Sequence, residues 1–432
     1  MSRETRFAVV ASHPIPYYTP FYRALVQHGG VKVRAFFATK VGLEKSLDPG
    51  MGVELAWKTD LLSGYEHVIL PEAERIRALT FGDVDNPSLG PALSAFAPDA
   101  VLIHGYTLRT MLRALAWCRR RGVPALMISD SSLHSGTSRP MRVLKRALLP
   151  LVFRQFSAFL AIGDKNQTYL ETYGARPKQI FRVANMVDEG FWAHRERRQE
   201  ERVRVRAQLG IGDGELMVLF VGKLIERKRP GDLLAALARL RSMPGSRRPV
   251  RVVFAGDGAQ RAALQRRAAD GGLPARFLGF VNIDALPGLY CAADALAHPA
   301  EIETFGAIVI EAATLGLALV LSDHVGAIGP TSIARPGENA LVHPCRDVAS
   351  LAAALNRLAC EPETLARLSA NSLRISRELD GQMAVSGTLA AIDYCLRDRG
   401  VTPSACLLDP GVDASRRLRT AWHRWHRSWR VW

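Results

Sequence analysis

Short apolar runs alternate with stretches of helical period along most of the chain. Phe7–Ser12, Val31–Ala38, Ala100–His104, Ala125–Ser129, Phe159–Ile162 and Ile180–Val183 read as strands. Between them, Thr19–Gln27, Leu108–Arg120 and Met141–Gln155 space their apolar residues as a helix with one buried face does. Strands alternating with helices imply a parallel sheet covered on both sides. Arg195–Arg206, with six Arg and three Glu, interrupts the pattern and reads as a solvated helix or linker. The alternation then restarts. Leu216–Val221, Val250–Ala255, Arg276–Phe280, Ala293–His298 and Ala318–Ser322 read as strands. Arg229–Arg241, Gln260–Ala269, Asp284–Cys291 and Thr304–Leu315 read as helices. The fold class is therefore α/β: two doubly wound, Rossmann-like domains facing each other across a cleft. The first is expected over 1–190 and the second over 191–382. A helix over 383–400 is placed to cross back, and 401–432 is a tail. Ligands of open α/β sheets lie beyond the carboxyl ends of the strands. Chemistry is therefore sought just after each strand.

The length of 432 residues suits two or three domains. Lys and Arg number 57 against 41 Asp and Glu, a net charge of +16, which favours anionic partners: phosphates, lipid or nucleic acid. No apolar run approaches the roughly 18 residues of a membrane span, and Phe7–Ala11 is too short for a secretory core, so a cytoplasmic location is expected. Cysteines at 118, 291, 345, 360, 395 and 406 form no Cys-x-x-Cys pair and no ligand set with His. Reduced thiols and no metal are expected.

The most informative segment is HPAEIETFGAIVIEAATLG, His298 to Gly316. It follows a strand and opens a helix at Thr304, Phe305 and Gly306. Free N–H groups and the positive dipole end at such a helix start suit a phosphate or a polar sugar. Glu303 sits at the lip and Glu311 about two turns deeper, placed to bind different hydroxyls of one elongated ligand. A capped surface helix with incidental acids is the alternative. FVGKLIERKRP brings Gly222, Lys223 and Lys228 to a strand end, where basic groups can hold a diphosphate. FAGDG places Gly256 in a second tight turn. Neither Gly-x-Gly-x-x-Gly after the first strand nor a P-loop is present, which disfavours dinucleotide oxidoreductases and P-loop ATPases.

These segments resemble the retaining glycosyltransferases of family 4, which have the GT-B fold. The series runs FVGKLIERKRP, FAGDG, FLGFV, Glu303-x7-Glu311, ALVLSDHVGA at 318–327 and PGENALVHP at 336–344. YGARPKQIFRVANMVDEGFW at 173–192 resembles the family's approach to its interdomain linker, and Trp57–Tyr65 is similar to a segment of some bacterial surface-polysaccharide members. The resemblance implies a nucleotide diphosphate sugar as donor and no cofactor. It implies that Glu303 contacts the donor sugar, with the backbone at Thr304, Phe305 and Gly306 near sugar and diphosphate. Glu311 would hold the ribose hydroxyls. Lys223, where the family often has Arg, and Lys228 would neutralise the diphosphate.

On the acceptor side, His13 follows the first strand in ASHPIPYYTP, where many relatives have a Gly-rich loop. His104 ends AVLIH. Many members carry a sugar-contacting His at the end of the next strand, where this chain has Ser129 or Asp130, followed by Ser131; His134 is a candidate substitute. His104 and Asp130 are thus candidate catalytic residues with Glu303, Lys223 and Lys228. A lipid-linked or glycan acceptor follows from the resemblance. Rival readings are an epimerase or phosphorylase on the same fold, or a non-catalytic subunit that binds nucleotide sugar and recruits partners to a membrane.

In the tail, Leu418, Trp422, Trp425, Trp429 and Trp432 would share one helix face, and Arg416, Arg417, Arg419, Arg424, Arg427 and Arg430 cover the rest. A Trp face backed by Arg suits an in-plane helix on anionic lipid, hence a peripheral location on the inner face of the cytoplasmic membrane. Packing on the first domain is the alternative. No nucleic-acid-binding motif accompanies the charge.

Overall fold

The computed structural model describes residues 4–397 apart from 45, 49–52, 56–58, 135, 137, 188, 246 and 247. The Trp422, Trp425, Trp429 and Trp432 face lies outside the described residues. The first sheet contains β1 (Thr5–Ala11), β2 (Val31–Phe37), β3 (Glu66–Ile69), β4 (Ala100–His104), β5 (Ala125–Ile128), β6 (Ala158–Ala161) and β7 (Ile180–Arg182). Its order is β3-β2-β1-β4-β5-β6-β7, parallel throughout. The second sheet contains β8 (Leu216–Val221), β9 (Val250–Ala255), β10 (Ala275–Gly279), β11 (Ala295–His298), β12 (Ala318–Ser322) and β13 (Ala340–His343). It is ordered β10-β9-β8-β11-β12-β13 and is also parallel. In each sheet the order reverses beside the first strand, which opens a crevice there. The central strands are continuous apolar runs because helices cover both faces; all of β8 is buried.

Two strands of these sheets escape the sequence pattern. Glu66–Ile69 and Ala340–His343 are four residues each and lie at sheet edges, where short, partly polar strands are tolerated. Of the solvated helix or linker expected over Arg195–Arg206, the structure has the helix and corrects the solvation at its buried end. Helices span Glu189–Glu196 and Arg198–Leu209, and Arg206 is only 2% exposed. Its guanidinium donates to the carbonyls of Ala292 (2.9 Å), Gly212 (2.7 Å) and Glu215 (2.6 Å) and pairs with Asp294 (3.3 Å). Arg202 reaches the other oxygen of Asp294 at 2.8 Å. The planar fork can satisfy several acceptors at once, so a basic residue is buried where the charge count alone suggests solvent.

Four helices matter for the cleft: α1 (Thr19–His28), α2 (Asp164–Thr172), α3 (Ala307–Thr314) and α4 (Gly381–Arg397). Helix α4 packs on α1, β6 and β7 of the first sheet. Its Tyr394 ring lies 5.5 Å from Phe181, and a Cβ at Gly387 would fall 2.1 Å from the Arg182 carbonyl oxygen. Only glycine lets this helix lie so close.

Side chains at the start of α2 tie the first domain to the loop after β12. Asp164 accepts from the Thr331 N–H and from Ser332 Oγ, both at 2.9 Å, and from Thr331 Oγ1 at 2.5 Å. Arg182 pairs with it at 3.2 Å. Burial opposes ionisation of Asp164, but these donors hold its carboxyl below the ordinary range. The neighbouring Lys165 donates to the carbonyls of Val325, at 2.9 Å, and Asp323. These contacts hold the two domains together.

Candidate active site

The site is built where β8, β11 and α3 converge. After β8, Gly222 has φ +133° and open space around it, so the chain can turn and a ligand can approach. The turn leads to Lys223, half-exposed, and to a single 3-10 turn at Glu226–Lys228. Beside it, a Cβ at Gly256 would sit 1.9 Å from the Gly222 carbonyl oxygen. Two strand ends touch there, and any larger residue would push them apart.

Beyond β11, the expected helix start at Thr304 is corrected. Helix α3 begins at Ala307, because Gly306 turns through φ +96° as its N-cap and no side chain caps it. Thr304 and Phe305 instead form a loop held by Gly326, whose N–H donates to the Glu303 carbonyl at 3.0 Å. The loop thus presents Glu303 before the helix start, and Gly306 stands at the point where the dipole is positive.

Lys228 Nζ donates to Glu303 Oε2, and His298 Nε2 donates to the same oxygen at 2.8 Å. Both Lys228 and Glu303 are largely buried, with side chains 14% and 13% exposed. Burial opposes charge on Glu303, yet Lys228 and His298 outweigh it and hold the carboxyl well below the usual carboxylate range. Lysine has three donors and one is used on Glu303, so the ammonium keeps donors for an anion. Sequence reasoning passed over His298. The signal was a polar residue closing an otherwise apolar strand, five residues before the acid it serves.

Glu311, on the second turn of α3, accepts from Tyr290 Oη at 2.7 Å. Burial pushes its carboxyl up to about 7, against the Tyr290 hydrogen bond. It borders a small hollow that Pro16 and Tyr17 of the first domain, and Val187 and Ile283, also line. Both domains therefore wall the place where Glu311 would meet a ligand.

Across the cleft, Asp130 Oδ2 accepts from Thr304 Oγ1 at 3.3 Å, so the strand end of β5 reaches the loop of Glu303. Burial raises the Asp130 carboxyl, and the Glu303 charge adds to it. The remaining candidates on this side are tied within their own neighbourhood. His104 takes Tyr22 Oη at 2.9 Å and the edge of Tyr18, with ring centroids 4.5 Å apart. His13 Nδ1 lies 2.9 Å from Ser12 Oγ. Burial lowers His13 to about 4 and, with the His13 charge adding, His104 to about 3, so both rings are neutral at neutral pH. Ser131 faces Asn166, which donates to its carbonyl at 2.8 Å. His134 stacks on His324 of the second domain, with centroids 4.7 Å apart. The structure thus brings together Glu303, Lys228 and Asp130 through Thr304; it gives His104 and His134 partners other than these.

Residues 201–374 match the family described as Glycosyl transferases group 1. The D-inositol 3-phosphate glycosyltransferase of Rhodococcus erythropolis (strain PR4 / NBRC 100887) is 32% identical over 254 residues, 56% of this chain and 54% of that protein. The glycogen synthase of Mycobacterium tuberculosis (strain ATCC 25618 / H37Rv) is 28% identical over 304 residues, 68% of each chain. The chain spans about half the length of the first of these relatives. Among solved structures, Anabaena Alr3699/HepE in complex with UDP and glucose aligns with a TM-score of 0.65 at 17% identity, covering 90% of this chain and 99% of that one. The apo lipopolysaccharide outer core galactosyltransferase WaaB aligns with a TM-score of 0.60 at 15% identity, covering 89% and 99%. The likeness establishes the GT-B arrangement of two Rossmann-like domains. Glu303, Lys228 and Glu311 all lie inside the stretch that matches this family, whereas Asp130, His104 and His13 lie outside it.

Proposed function

We propose that the protein transfers a sugar from a nucleoside diphosphate sugar to a glycan or lipid-linked acceptor, with retention at the anomeric carbon and without a metal ion. The observation that carries the reading is the buried Lys228–Glu303 pair beside an uncapped helix start. A fixed carboxylate would orient the donor sugar. Donors left on Lys228, the charge of Lys223 and the α3 dipole would stabilise the departing diphosphate, the main electrostatic device such a transfer needs. In front-face transfer the leaving phosphate oxygen itself takes the acceptor proton, so no separate base is called for. The resemblance of the Glu303-x7-Glu311 segment to retaining enzymes supports retention. The similar structure solved with UDP and glucose supports a sugar nucleotide, with UDP the first candidate.

Calorimetric titration with UDP, GDP, dTDP and ADP, with and without EDTA, tests the donor site. Selective micromolar binding of one, unchanged by EDTA, is expected. Binding of none refutes the reading, and binding abolished by EDTA refutes the metal-free part.

The membrane part of the proposal rests on the Trp and Arg spacing of the tail. No helix among the described residues is long and apolar enough to cross a membrane. Truncation after Gly411 is expected to shift the protein out of the pellet with anionic liposomes while leaving nucleotide binding intact. A truncated protein that still sediments with them removes the tail from the anchoring role.

A further inference from the structure

His298 closes β11 and is 1% exposed. Its ring lies 5.9 Å from that of Phe220 on β8, so it belongs to the floor of the site and not to its rim. One nitrogen, Nε2, meets Glu303 Oε2 at 2.8 Å. The other, Nδ1, is buried and has no hydrogen-bond partner. A protonated ring would carry an N–H at Nδ1 with no acceptor, a large penalty away from water. The ring is therefore neutral, with its proton on Nε2, and burial agrees by lowering its affinity for a second proton.

The consequence falls on Glu303. Two donors, His298 Nε2–H and Lys228 Nζ–H, converge on Oε2. Two bonds to one oxygen, from groups on different elements, fix the carboxylate plane. The second oxygen, Oε1, receives no hydrogen bond among the described residues and is left for a ligand. Lysine alone would not achieve this, because its flexible stem follows the carboxylate as it rotates. A ring wedged in the floor does not follow.

We propose that His298 is a positioning residue for Glu303: its neutral ring holds Oε2 so that Oε1 is presented in a single orientation to the donor sugar. This rests on the reading of Glu303 as the group that meets that sugar. It predicts an effect confined to the sugar half of the donor.

The test uses the full chain and two probes, UDP and UDP-glucose, or the corresponding pair for whichever nucleoside diphosphate binds in the titration above. Calorimetry gives the ratio of the two dissociation constants, and release of the nucleoside diphosphate gives turnover. His298→Leu is expected to leave the affinity for the bare diphosphate within twofold, to remove the extra affinity from the sugar, and to lower turnover at least tenfold. His298→Gln, whose amide can donate to the same oxygen, is expected to recover most of both. A His298→Leu protein with parental ratio and turnover overturns the inference. So does a loss of bare-diphosphate affinity shared by the Leu and Gln variants, which marks a purely structural residue. Glu303→Gln separates the two levels. Parental turnover there overturns the reading of Glu303 itself, whereas a crippled Glu303→Gln beside a normal His298→Leu overturns only the role given to His298.

Discussion

Glu303→Gln is expected to lower turnover by about two to three orders of magnitude, the scale for removing one preorganised electrostatic contact. Affinity for a bare nucleoside diphosphate should change by no more than a few fold. The substitution keeps the volume and removes the charge. In the native site the carboxylate sits between the Lys228 ammonium and the His298 N–H. An amide can satisfy both donors only with its oxygen turned toward them, which leaves an NH2 group where Oε1 stood. A sugar hydroxyl that donated to Oε1 then faces a donor. The pH profile carries independent information. Lys228 and His298 keep the Glu303 carboxyl well below the ordinary range, so Glu303 stays ionised throughout the working range and contributes no inflection there. Nucleoside diphosphate release, measured beside calorimetry, checks both parts. Turnover unchanged in the variant would exclude Glu303 from the chemistry.

Glu311→Ala should weaken nucleoside diphosphate binding by about ten- to a hundredfold, as loss of a charge-assisted hydrogen bond of about 1.5–3 kcal/mol implies. Here pH is the sharper test, because burial pushes the free Glu311 carboxyl up to about 7. Hydroxyls donate best to the ionised form, which predominates above that value. Binding should therefore tighten as pH rises from 6 to 8, and the slope should vanish in Glu311→Gln. The same shift has a stability sign. The folded pKa lies above the unfolded one of about 4.3, so the folded state binds the proton more tightly. That contribution is fully present below the unfolded value and is lost as pH rises through about 7. Glu311→Gln should accordingly gain stability relative to the parent at pH 8 compared with pH 4. A parental pH slope in Glu311→Gln would take the ribose role away from this residue.

The second domain was legible because its chemistry is packed into short segments that directly follow strands. Glu303, Gly306 and Glu311 lie within nine residues, and Lys228 lies seven residues past the end of β8. What the sequence hides is contact across long separations. Tyr290 serves Glu311 from 21 positions away, Asp164 meets Thr331 from 167, and Asp130 meets Thr304 from 174. Helix α3 starts later than its apolar period suggests, because Gly306 adopts a left-handed turn that periodicity does not register. His104 stands out in the sequence as a strand-end histidine, but its neighbours Tyr22, on α1, and Tyr18, in the turn before it, do not. Arg206 looks solvated, but three carbonyls from two segments gather on it. Except at Gly306, a deciding partner comes from a different part of the chain.

The ties that Asp164 and Lys165 make to the loop after β12 bear on how fast a ligand comes and goes. A cleft whose walls are tied in this way would admit the proposed sugar nucleotide only during transient separation of those walls. Admission is then gated by that separation, and the observed rate levels off with concentration where a permanently open cleft would show a steady climb. The same ties, re-formed behind a bound molecule, would lengthen its stay, so Asp164 and Lys165 would set the tempo of exchange at the site.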